Sequence, residues 1–291
     1  MRRATAIRAG LLCSLLAASQ PSIAQEAQPF LLALRGQSVI INYTPGALDR
    51  AVHVQRRLEL VANDFARWSG TRSRLRVFIL SRDEWGQVGF HAPFGIPGHI
   101  PDATLAVPSY GDAGTVELWT RVRGVELAPL PGTPIKGTAQ EAASLALSDL
   151  LMEVEAARVL LSVAQLRGES PWLHQVLAHL IARQAFETYE TARMPEITAF
   201  FDSLAGRVRS PLALDRYTPG LDLETLLWFE SRFQDGAREV MASGGRNQAK
   251  QLVKRAGKTG GVLTEADFFA RFPEMRDWLA RSFDSAPATA P

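Results

Sequence analysis

The sequence predicts an α+β fold, on three observations. Apolar alternation and β-branched runs are confined to the first half, at residues 37–43 and 75–81. Helical periodicity fills the second half from about residue 137, so sheet precedes helices along the chain. Hydrophobic residues make up 46% of the 291 and charged ones 21%, a balance that suits an ordinary buried core.

Residues 1–24 are expected to be a leader outside that fold. Arg2, Arg3 and Arg8 precede an apolar run from Ala9 to Ala18, and Ser22 and Ala24 supply the small residues of a cleavage site. The run is too short for the roughly 20 residues that span a bilayer. The expectation is therefore export, to a periplasmic or extracellular location, and no membrane span in the mature chain. Cys13 is the only cysteine, so a mature chain starting near Gln25 has no disulfide or thiolate metal site. Without the leader arginines, the 32 basic residues fall just below the 30 acidic ones, and no overall field favours nucleic acid.

Residues 25–136 are expected to form the part with the small mixed sheet. "QSVIINY" (37–43) reads as a strand, residues 46–69 as an amphipathic helix, and "LRVFILS" (75–81) as a buried strand. A short helix at "RDEWGQVGF" precedes a loop rich in Pro and Gly, 91–102, which carries His91 and His99 as possible cleft or lid residues. "ATLAVP" (103–108) and "TVELWT" (115–120) are two further strand candidates. His53 lies in the first helix, at its surface or the edge of the core.

Residues 137–283 read as helices. The breakers of "LAPLPGTPIKGT" lead to a long helix over about 140–166. After "RGES" another opens at Pro171, a favoured first-turn residue. The tail 284–291, which ends in "SAPATAP", reads as disordered.

The long helix raises a question of chemistry: its apolar centre, "LLMEVEAARVLL", carries Glu153 and Glu155. Positions 152 and 156 lie one turn apart on one face, and in the next helix Gln175 and His179 share a face by the same spacing. At these residues the chain resembles the gluzincin metallopeptidases, especially the peptidase MA-like bacterial families. Their pattern is HExxH, an eighteen-residue interval, and a glutamate within "W-L-x-E-G-x-A". Here Met152-Glu153-Val154-Glu155-Ala156 stands at the first site and residues 157–174 form the interval. Gln175 lies within "PWLHQVLA", and "FPEMRDWLARSF" is similar to the family's last helix.

The resemblance implies a zincin-like architecture over most of residues 37–283, and a zinc ion that this chain is not expected to hold. Met152 offers a poor ligand, Ala156 none, and Gln175 only a neutral oxygen. Glu153, at the general-base position, is left as a vestige, and no cofactor is expected. Asp149, Glu155, Trp172, His174, His179 and Trp119 are the further cleft candidates, with Asp149 and Glu153 expected to face Gln175 and His179. In the family, the strand bordering the cleft grips extended substrate, a part assigned here to residues 115–119.

The expected function is an exported, catalytically inactive peptidase-like protein with a binding or structural role. One rival is a hydrolase with a rearranged site around Glu153 and His179, with His174. Another is a cell-envelope protein using the basic stripe Arg246, Lys250, Lys254 and Lys258. The implied partner is an extended peptide or an envelope component, not nucleic acid.

Overall fold

A computed structural model describes residues 30–88, 92–100, 104–124, 137–204, 211–218, 221–243, 245–258 and 261–283. The expected leader, the tail, His91 and the breaker-rich connection at 125–136 lie outside these residues. Among the described residues no helix is long and apolar enough to cross a membrane.

Five strands form one sheet: β1 (Leu32–Arg35), β2 (Val39–Tyr43), β3 (Leu75–Leu80), β4 (Gly98–Ile100) and β5 (Thr104–Pro108), in the order β1-β2-β3-β5-β4. The central three run parallel, and the edge strands β1 and β4 are antiparallel to their neighbours. Alternation decides which face each residue takes. Val39, Ile41, Leu75, Val77 and Ile79 are buried under helix α1 (Leu48–Ser69). That helix presents Val54, Leu58, Val61 and Phe65 at helical spacing, all fully buried, and ends at Gly70, whose φ of 76° only glycine adopts readily. On the other face of the sheet Leu80, Ala106 and Ile100 meet Trp85 of the short helix α2 (Arg82–Trp85) and Phe94.

Residues 115–120 are not a strand. They lie within helix α3 (Ala113–Arg123), opened by Asp112, which caps Thr115 N at 2.8 Å. "TVELWT" alternates when read alone. The buried set Thr115, Leu118, Trp119 and Val122 shows the helical period only when the flanking residues are included.

The second part is built on α4 (Ala139–Val163) and α5 (Pro171–Tyr189). Thr138 and Glu141 form a capping box at the start of α4. Helices α6 (Met194–Leu204), α7 (Leu223–Ala242), α8 (Arg246–Lys258), α9 (Glu265–Arg271) and α10 (Met275–Ser282) complete the helical part. Helix α4 packs on α1, α3, α5 and the sheet, which explains why it is apolar nearly all round. A second, two-stranded sheet pairs β6 (Arg167–Gly168) with β7 (Val262–Leu263) in parallel, fastening the start of α5 to the chain after α8. One continuous apolar core runs from Val39 to Phe283, so sheet and helices share it.

Candidate functional site

The carboxylates on α4 face different ways. Asp149 and Glu153, one turn apart, point at α1. Arg50 donates to Asp149 Oδ2 at 3.0 Å and to Oδ1 at 2.5 Å, and His53 Nε2 lies 3.0 Å from Oδ2. Burial pushes the Asp149 carboxyl up, but Arg50, with help from His53 and Arg57, holds it well below the ordinary range. Glu153 pairs with Arg57 at 2.5 Å, and the same guanidinium also serves Glu190. Burial, opposed by Arg57 and reinforced by Glu190 and Asp149, pushes the Glu153 carboxyl up to about 8.

Gln175 and His179 turn to α7 instead. Gln175 Nε2 donates to both oxygens of Glu230, at 2.9 and 3.0 Å. His179 Nε2 lies 2.8 Å from Glu230 Oε2, and its Nδ1 lies 2.9 Å from Gln234 Oε1. The expected network of Asp149, Glu153, Gln175 and His179 is therefore two separate networks, and the partner of His179 is Glu230 rather than Glu153. Asp149 and Glu153 therefore do not come together with His179. Among the described residues no group of three or more His, Cys, Asp and Glu is placed to hold a metal ion.

Of Asp149, Glu153 and Glu155, it is Glu155 that lines a cleft, one of about 770 Å³. Its walls come from the segment Ala92–His99 ending in β4, from Glu155 and Arg158 of α4, from the stretch Arg167–Gln175, from Tyr217, Thr218, Leu221 and Leu226, and from Val262. Arg158 stands at the centre. It forms an ion pair with Glu155, donates to His99 Nδ1 at 3.1 Å and bonds the Tyr217 hydroxyl. Burial raises the Glu155 carboxyl against the opposing pull of Arg158, and neighbouring Glu230 raises it further. Burial also raises the Tyr217 hydroxyl, with Glu230 adding to it. Both cleft histidines are shifted down: burial and then Arg158 lower His99, and the same two causes bring His174 down to about 4.

Three cleft residues carry a buried polar atom without a hydrogen-bond partner: Arg158 Nε, Ser170 Oγ and His174 Nδ1. Such atoms are costly unless a ligand or water meets them. All three residues line the cleft, but these particular atoms are closed off from its open space.

The remaining candidates fall elsewhere. Met152 and Ala156 are fully buried and do not line the cleft, whereas Gln175 does. Trp119 is a core residue: its indole N–H donates to Ser148 Oγ at 3.4 Å and its ring meets Phe200 edge-on. Trp172 packs on Phe268 and Phe269 and donates to Glu265 Oε1 at 3.0 Å. The sequence reasoning missed Arg158, Tyr217, Ser170 and Glu230. Arg158 had a signal, a cation three residues after Glu155 on an otherwise apolar helix. Glu230 had a fainter one, an acid inside "LLWFESRF". No known family's model matches this chain, and no curated protein matches it significantly.

Proposed function

We propose that this chain is an exported, catalytically inactive peptidase-like protein that holds an extended peptide in the Glu155–Arg158 cleft. The observation that carries this is the ion pair between Glu155 and Arg158 on the cleft wall beside β4, an edge strand of the sheet. A strand edge offers main-chain groups to an incoming strand, and Arg158, Ser170 and His174 line the cleft beside it. The gripping edge is β4 and not residues 115–119, which are helical.

Of the peptidase-like positions only Gln175 lines the cleft, beside Glu155, while Met152, Glu153 and Ala156 do not. Neither methionine nor alanine supplies a zinc ligand of the kind the family uses.

The test is binding against turnover. Fluorescent peptide libraries are incubated with the purified protein, with and without added zinc, and with Thr218→Trp, which fills the cleft mouth from an exposed position. Binding without cleavage, weakened at least about tenfold by Thr218→Trp, is expected. Cleavage abolished by Glu155→Gln would overturn the proposal.

A further inference from the structure

Away from the cleft, two acid-free stretches meet. Helix α8, "RNQAKQLVKRAGK", contains no Asp or Glu, and neither does the segment Ala66–Arg76 at the end of α1. Helix α8 buries Ala249, Leu252 and Val253 and leaves Arg246, Lys250 and Lys254 exposed. Its position along α1 is fixed at both ends. Arg246 reaches Glu187 at 3.2 Å and acts on the Asp64 carboxylate. A Cβ at Gly257 would lie 3.9 Å from the Ser69 carbonyl oxygen. Arg246, Lys250 and Gly257 share one helical side, so the basic stripe runs along the seam with α1. The exposed Arg67, Arg72 and Arg74 lie two to five residues from Ser69 along the chain.

Some of these cations are neutralised, Arg67 by Asp64 and Arg246 by Glu187. Lys250, Lys254, Arg72 and Arg74 form no ion pair among the described residues. The whole chain carries a formal charge of only +2, so the excess is local. Trp68, the only aromatic residue in the two stretches, is buried, which leaves no ring on which a nucleic-acid base could stack.

We infer that this face adsorbs to a membrane surface rich in anionic phospholipid, through the phosphate headgroups. Four exposed cations without ion partners among the described residues, on α8 and on the segment that follows Ser69, give this part of the surface a positive excess that anionic phosphates complement. The attraction is electrostatic and long-ranged at low salt. It leaves the cleft free, because none of these residues lines it.

The test is co-sedimentation of the full chain with vesicles of phosphatidylcholine alone or mixed with phosphatidylglycerol. Binding to the mixed vesicles only, lost in high salt, is expected. Lys250→Glu with Lys254→Glu, and separately Arg72→Glu with Arg74→Glu, should each weaken it on the order of tenfold or more. All four sites are exposed, and circular dichroism checks that the variants fold. Thr218→Trp should bind vesicles as wild type does, which separates this inference from the peptide proposal. Equal binding to uncharged vesicles, reversals without effect, or tighter binding to an oligonucleotide than to the mixed vesicles would overturn it.

Discussion

Glu153 and Glu155 are two residues apart on one helix and meet opposite fates. Glu153 faces Arg57 on α1, and Glu155 faces Arg158 in the cleft. For Glu153 the pH consequence has a definite sign. Its carboxyl has an ordinary value of 4.5 and is pushed up to about 8 when folded. Between those values the folded chain holds the extra proton, so stability falls as pH rises through that window. Glu153→Gln removes the titration. Urea denaturation should show the variant gaining roughly 1–3 kcal/mol relative to wild type at pH 8 compared with pH 5. Arg158 tests the cleft in the same way. It lowers both His99 and His174, so Arg158→Ala should move the NMR titration of His174 upward from about 4, and that of His99 upward too. The same change strips Glu155 of its ion partner and should cost about 2–3 kcal/mol. The sequence showed that carboxylates on an apolar helix needed partners. It could not show which, because the angle of α4 between α1 and the cleft is fixed by packing across the whole chain.

At the scale of elements, legibility followed how far each pattern reached. Helix α1, strands β2, β3 and β5, and helices α4 and α5 lie close to their expected places, because long periodic runs or caps declare them. The six residues of "TVELWT" were too few to separate alternation from a helical stripe. The cap at Asp112 was the signal that settled them. Strand β4 was hidden in a loop rich in Pro and Gly, since its three residues pair through the backbone with β5 rather than through any pattern of their own. The junction of β6 and α5 depends on a missing side chain. A Cβ at Gly168 would lie 2.4 Å from His174 N and 2.8 Å from the Leu173 carbonyl carbon. Gly168→Ala should therefore force strand and helix apart and cost about 1–3 kcal/mol in chemical denaturation. The same substitution at Gly86, where nothing stands in the way, is the control.

For the whole molecule, the shared core has a thermodynamic consequence. Trp68 from the sheet part and Trp172, Trp228 and Trp278 from the helical part belong to one apolar cluster. Tryptophan fluorescence and far-ultraviolet circular dichroism should therefore report coincident unfolding midpoints. Two separated transitions would mean that the sheet and helices unfold independently. The α+β class was readable from the order of patterns, but the cleft was not. Its walls come from segments as far apart in the chain as Ala92 and Val262. The clasp of β6 with β7 carries this furthest. Val262 closes one side of the cleft, while Glu265, Phe268 and Phe269 seat Trp172 at the head of α5. A chain still being synthesised thus has no finished pocket until Val262 has emerged, and a copy cut short before it would lack one wall however well its sheet had formed.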